Sequence, residues 1–189
     1  MEQQEWIDGA FEETDTDYKI AGINILYKEE KEYLKIGIEL LCDKDHPSSV
    51  LEFGFGKGWT ATEFQEKGIT RHVILEPNKE NYQMALEWKD NYDTDIEIVN
   101  IFSWDYDGGE EFDLVCDDRQ QFTLKDNDVH FDQMDKILED GQWYSGYASK
   151  TSNRNHDGYP IYFELDNILY VQSLKKYNMP KRFIYNGIS

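Results

Sequence analysis

Apolar positions along the chain change their spacing several times, and each change marks an element. Tyr27, Glu30, Leu34, Gly37, Ile38 and Leu41 fall at three- and four-residue steps. A helix is therefore expected over 27–42, ended by Asp43-Lys-Asp-His-Pro47. Residues 50–53 read as a short strand feeding Gly54-Phe-Gly-Lys-Gly58. A helix is predicted over 60–67 and stopped by Gly68, then a strand over 72–75 that ends on Glu76. Residues 78–92 read as a helix with Tyr82, Leu86 and Trp88 at apolar positions. Strands are expected at 97–101, 112–116 and 142–148, with a helix at 127–138. A helix over 166–177 and a strand over 182–187 close the pattern.

Strands alternating with helices at this spacing predict an α/β fold, a mostly parallel sheet with helices on both faces. No repeat or linker interrupts it, so residues 1–189 are expected to form a single domain. Within it, 1–20 reads as an N-terminal arm or lid, anchored by Trp6, Phe11 and Tyr18, and 21–189 as the core. Parallel sheets bind ligands at the carboxyl ends of their strands. Those ends carry Gly54-Phe-Gly56, Glu76, Ser103-Trp-Asp105, Asp117-Asp118 and Lys150-Thr-Ser152.

Composition narrows the picture. Aromatic residues make up 15% of the chain, with 13 Tyr, 10 Phe and 5 Trp, enough apolar surface for a core rather than a disordered chain. No stretch approaches the roughly 20 apolar residues of a membrane helix. Met-Glu-Gln-Gln-Glu at the start resembles no secretory leader, so a cytoplasmic protein with no membrane partner is expected. Cys42 and Cys116 read as two buried thiols, not a disulfide framework or zinc site. His46, His72, His130 and His156 show no ligand spacing, and no metal is expected. The net charge of −20 opposes binding to nucleic acid. It is compatible with a cationic substrate, and equally with solubility alone.

Chemistry gathers at the strand ends. Glycines after the first core strand permit tight turning and close backbone approach to a ligand, a device that dinucleotide enzymes share. A phosphate-binding loop is excluded, because Lys57 is followed by Gly58 rather than Ser or Thr. Glu76, about 20 residues further on, stands where an acid accepts hydrogen bonds from ribose hydroxyls. The chain is short for a nucleotide domain plus a substrate domain, and Trp104-Asp105 offers an aromatic face and an acid for an adenine. These two features favour S-adenosylmethionine over a nicotinamide. Asp117 and Asp118 end the fourth strand, where a carboxylate can orient a cationic acceptor and take its proton. Plain readings stand beside these: an ordinary turn, a solvated acid, a core aromatic, and Asp118 as a helix cap.

With these residues in view, the chain resembles the guanidinoacetate methyltransferase family and its arginine N-methyltransferase relatives. The likeness is carried by Val50-Leu-Glu-Phe-Gly-Phe-Gly56, Phe64-Gln-Glu66 and His72-Val-Ile-Leu-Glu-Pro-Asn78. It continues through Tyr82-Gln83, Leu86, Trp88, Trp104-Asp105, Phe112-Asp113 and Leu138-Glu-Asp-Gly141. The resemblance implies a Rossmann-like class I methyltransferase fold using S-adenosyl-L-methionine and releasing S-adenosyl-L-homocysteine. It implies that Phe53, Gly54, Phe55, Gly56, Lys57, Gly58 and Thr60 hold the methionine part of the donor. Glu76, Pro77 and Asn78 would hold the ribose, and Trp104 and Asp105 would flank the adenine. Trp6, closing over the donor, and Leu34 would complete that site. Glu30 and Asp117 would grip a guanidinium from two sides as catalytic residues, with Asp118, Thr151 and Ser152 completing the acceptor site.

Three departures from the family pattern stand out. Two extra residues lie between Tyr33 and Val50; Asp117-Asp-Arg-Gln120 replaces the family's Asp-Thr-Tyr-Pro-like turn; and the chain ends one strand short. The expected sheet is thus shortened at its C-terminal strand, leaving an edge for a second copy to cover as a homodimer. The expected function is methyl transfer to a guanidino or amino nitrogen of a small molecule. Protein side-chain methylation, cleavage of S-adenosylmethionine and non-catalytic binding of it are the alternatives.

Overall fold

The computed structural model describes residues 3–117 and four further strand segments, 143–146, 162–165, 168–171 and 185–187. The chain opens with a short helix, α1 (Gln3–Ile7), and three strands, β1 (Phe11–Glu13), β2 (Asp17–Ile20) and β3 (Ile23–Tyr27). These strands form an antiparallel sheet in the order β1-β2-β3. Ala21 and Gly22 join β2 to β3 with φ of 50° and 76°. Positive φ at both positions is what a type I′ two-residue hairpin turn requires. The N-terminal unit therefore runs through Tyr27, not to residue 20, and replaces the start of the helix expected at 27–42. A 3-10 turn (Lys28–Glu30) leads into α2 (Lys31–Asp45). His46, at φ 49°, ends α2 by donating its N–H to the Cys42 carbonyl, and Pro47 prevents continuation.

The central sheet is parallel throughout. Its strands are β4 (Ser49–Phe53), β5 (Arg71–Leu75), β6 (Asp95–Val99), β7 (Leu114–Asp117) and β8 (Trp143–Gly146), in the order β6-β5-β4-β7-β8. Helices α3 (Trp59–Glu66) and α4 (Lys79–Lys89) make the crossovers on either side of β5. Chain order reverses between β4 and β7, so the carboxyl ends of these two strands mark the switch point. Two strands are shifted from the sequence pattern: 97–101 becomes 95–99, and 112–116 becomes 114–117, which puts Asp117 inside the ladder opposite Phe53.

Alternation along the strands divides the core. Leu51, Phe53, Val73, Leu75 and Val115 face one side with Phe112. Val50, Leu114 and Cys116 face the other, against Ile38 and Cys42 of α2 and Phe64 of α3. Ile74, Ile96 and Ile98 continue that face against Ala61 and Ala85. Phe64 is fully buried, and truncating such a side chain to alanine costs about 3–5 kcal/mol.

Beyond the parallel sheet, β9 (Tyr162–Leu165), β10 (Ile168–Val171) and β11 (Tyr185–Gly187) form a separate antiparallel sheet in the order β11-β10-β9. This corrects the helix expected at 166–177. Ile168-Leu-Tyr-Val171 has two β-branched residues and an aromatic among its four, and a four-residue apolar run does not separate the two periods. The helix expected at 127–138 lies outside the described residues. No helix among the described residues is long and apolar enough to cross a membrane.

Candidate functional site

The turn after β4 is built on glycines because its backbone is left-handed. Gly54, Gly56 and Gly58 have φ of 86°, 55° and 70°. Gly58 has a second constraint: a Cβ there would stand 2.6 Å from the Phe55 ring. Phe55 itself is buried among Ala61, Ile74 and Ala85, so the turn is pinned to the core from below.

Glu76 pins it from the side. Its Oε2 accepts the Phe55 backbone N–H and the Asn81 side-chain N–H, each at 2.9 Å, and its Oε1 accepts the Asn78 N–H at 2.9 Å. The carboxylate is buried, and burial pushes its pKa up against the pull of these hydrogen bonds. Among the described residues, no cation is hydrogen-bonded to it.

An open cleft lies above the turn, enclosing about 590 Å³ including its mouth. Phe53, Gly54, Gly56, Leu75, Glu76, Pro77 and Asn81 line it from the strand ends. Ile20, Ile25 and Leu26 close one wall from the N-terminal sheet, and Phe102, Ser103 and Trp104 close another. The half-buried Trp104 ring stacks on Phe102 at 4.4 Å and 8°.

Of the residues singled out from the sequence, the cleft brings together Phe53, Gly54, Gly56, Glu76, Pro77 and Trp104. Others stand outside its lining. Asn78 caps α4 through its Oδ1, while its Nδ2 donates to the Trp6 and Gly9 carbonyls at 2.7 and 2.8 Å. It ties α1 to the strand ends. Trp6 is buried against Ile20 and Phe102. The Lys57 ammonium lies over the Phe11 and Tyr18 rings and 4.0 Å from Glu13. Asp105 is exposed and Leu34 is half-buried on α2. Glu30 Oε2 accepts the Tyr27 N–H at 2.7 Å. Asp117 is buried at the end of β7. Asp118, Thr151 and Ser152 lie outside the described residues.

Thr60 belongs to a different arrangement. Its hydroxyl donates to Glu52, whose other oxygen lies 2.9 Å from His72 Nε2, both side chains fully buried. Gln65 Nε2 lies 3.1 Å from His72 Nδ1, and the Thr94 hydroxyl donates to Gln65 Oε1 at 2.5 Å. The donors align in one direction, Thr94 to Gln65 to His72 to Glu52, which assigns the His72 proton to Nε2. The chain of bonds holds the first turn of α3, and hence the far end of the glycine turn, to β4 and β5. A signal for it stood in the sequence, since Glu52 and His72 interrupt apolar strands. Asn81 was likewise detectable, as a polar residue one turn before the buried Ala85 on one helix face.

Among the described residues no group of His, Cys, Asp and Glu could hold a metal ion. Cys42 and Cys116 are both buried. Burial raises the Cys42 thiol to about 11.

Solved structures share this architecture. The N-methyltransferase NodS from Bradyrhizobium japonicum WM9, in complex with S-adenosyl-L-homocysteine, superposes with a TM-score of 0.59 at 14% identity, over 80% of this chain and 83% of that one. An S-adenosylmethionine-dependent methyltransferase from Clostridium acetobutylicum ATCC 824 superposes with a TM-score of 0.53 at 12% identity, over 75% of this chain and 60% of that one. At these identities the likeness is one of fold. No curated protein matches the chain in sequence. The sequence pattern of guanidinoacetate N-methyltransferase, however, matches residues 2–143. With the glycine turn, the strand-end acid and the first four strands of the parallel sheet all inside that span, the chain belongs to the guanidinoacetate N-methyltransferase family of S-adenosylmethionine-dependent methyltransferases.

Proposed function

We propose that the chain methylates a guanidino or amino nitrogen of a small molecule. The observation that carries the donor half is Glu76. A buried carboxylate with no cation among its hydrogen-bonded partners in the described residues, lining an open cleft beside a glycine turn, suits neutral hydroxyl donors. The residues fit an adenosyl ligand: Gly54 and Gly56 leave room for close backbone approach, Glu76 accepts hydroxyls, and Trp104 offers an aromatic wall. S-adenosylmethionine supplies a sulfonium-bound methyl group when it is held there.

The acceptor half rests on Asp117. It ends β7 at the switch point, one strand from the glycine turn, and its carboxyl is buried. A carboxylate there orients a flat cation and takes the proton that the attacking nitrogen must lose. Glu30, at the entrance to α2, is the second acid proposed for that cation; its Oε2 accepts the Tyr27 N–H. Trp6 and Asn78 serve the donor site indirectly, by holding the N-terminal sheet over it. The rest of the reading is a single cytoplasmic domain that takes a small-molecule acceptor, no nucleic acid and no membrane, and pairs with a second copy through an open sheet edge.

Mass spectrometry of products from a panel of guanidino compounds and amines, with S-adenosylmethionine as donor, tests the proposal. A product heavier by one methylene from one of these acceptors is expected. Turnover of the donor with no acceptor present overturns it in favour of cleavage.

A further inference from the structure

Among the described residues, one buried side-chain polar atom has no hydrogen-bond partner, and it is Asn81 Oδ1. Asn81 is fully buried near the start of α4 and lines the cleft. Its orientation is set by Glu76. Nδ2 donates to Glu76 Oε2 at 2.9 Å, and turning the amide over would set its oxygen against a carboxylate oxygen, acceptor on acceptor. The unmatched group is therefore the acceptor. Buried acceptors are rarely left without a donor, because losing water without replacement is unfavourable. Ala85, one turn on, is apolar and packs on Ile74.

Glu76 is also close to saturation. It already accepts Phe55 N–H, Asn78 N–H and Asn81 Nδ2–H, with a weaker pull from the Gly56 N–H, out of about four lone-pair positions on a carboxylate. A ligand that presents two neighbouring hydroxyls cannot place both on it. We propose that Asn81 Oδ1 is the second acceptor for a vicinal diol, so that Glu76 takes one ribose hydroxyl and Asn81 takes the other. This rests on the adenosyl reading above and deepens it. Asn81 makes the site specific for a ribose with both hydroxyls over either deoxyribose.

Calorimetric titration of the full chain with S-adenosylhomocysteine and its 2′-deoxy and 3′-deoxy counterparts tests this. Wild type should lose about tenfold in affinity for each missing hydroxyl. Asn81→Leu should bind the parent compound about tenfold more weakly. In that variant one deoxy penalty should vanish while the other, set by Glu76, persists. Asn81→Ala, which demands less of the packing, should repeat the pattern if the leucine variant fails to melt cooperatively. Two penalties retained in the variant overturn the proposal. Two penalties lost also overturn it, because Asn81 then acts only by orienting Glu76. Wild type that binds none of the three compounds refutes the adenosyl reading itself, an outcome seen before any variant is made.

Discussion

Carboxylates stand at both ends of the parallel sheet, and the two ends hold them in opposite ways. Where the strands begin, Arg71 grips Glu110 with two hydrogen bonds of 2.8 and 2.7 Å and reaches Glu97 at 2.7 Å. Those bonds keep Glu110 below the usual carboxylate range. Asp113, beside them in sequence, accepts from the Ser48 and Ser49 amides and hydroxyls. Burial works against the Asp113 charge, but these donors outweigh it and its pKa is lowered too. Where the strands finish, Glu76 is buried more deeply and, among the described residues, hydrogen-bonded only to neutral donors, and its pKa is raised. Asn81 beside it keeps an acceptor unmatched. An end whose charges are neutralised closes a sheet. An end whose acceptors outrun its donors is arranged for something that brings donors with it.

The contrast breaks most directly at the methyl-accepting acid. Asp117→Asn should lower the rate of transfer by about 10²–10⁴-fold, the range for losing a general base, with affinity for S-adenosylhomocysteine unchanged. Single-turnover rates alongside calorimetry check it, and an unaffected rate removes Asp117 from the chemistry. Next in size is Glu76→Ala, which should weaken S-adenosylhomocysteine binding by about a hundredfold, since charged hydrogen bonds contribute roughly 1.5–3 kcal/mol each. Unchanged affinity refutes the ribose assignment.

A finer test uses pH, because the two ends should respond with opposite sign. Glu110, lowered from its ordinary 4.5, contributes stability that is present above that value and lost as pH falls through its folded pKa. Glu76, raised from 4.5, contributes stability that is present below that value and lost as pH rises through its folded pKa. Urea midpoints at about pH 4 and about pH 7 should show the wild-type advantage over Glu110→Gln growing with pH and the advantage over Glu76→Gln shrinking. The same sign for both would erase the distinction. Smallest of all, Arg71→Gln should cost about 1 kcal/mol or less, because its partners are partly exposed, and should leave donor binding untouched. Denaturant melts with calorimetry check both halves.

Much of the fold was legible because each signal was local. The short apolar runs in Val50-Leu-Glu-Phe53 and His72-Val-Ile-Leu75, with Gly54 and Glu76 directly after them, placed two strands and the turn after the first of them within a residue or so. The N-terminal sheet was hidden because its strands are three to five residues long and mostly polar on one face. The helix expected over 166–177 failed on β10 for a related reason: four apolar residues carry no period.

The site divides in the same way. Gly54, Gly56 and Glu76 belong to the cleft because of where they sit in the chain: a strand must end, and the residues just past its carboxyl end face the ligand side of a parallel sheet. That much the sequence determined by itself, and the family pattern over residues 2–143 agrees with it. Only the tertiary structure decided that Asn78 holds α1 in place, that Asp105 stands exposed, that Ile20, Ile25 and Leu26 form a wall, and that Asn81 keeps a free acceptor beside Glu76. The physical reason is that a hydrogen bond joins groups in space. Asn78 and Trp6 are 72 positions apart, and no period along the chain records which of Asn78, Asn81 or Glu76 is left with a lone pair to offer.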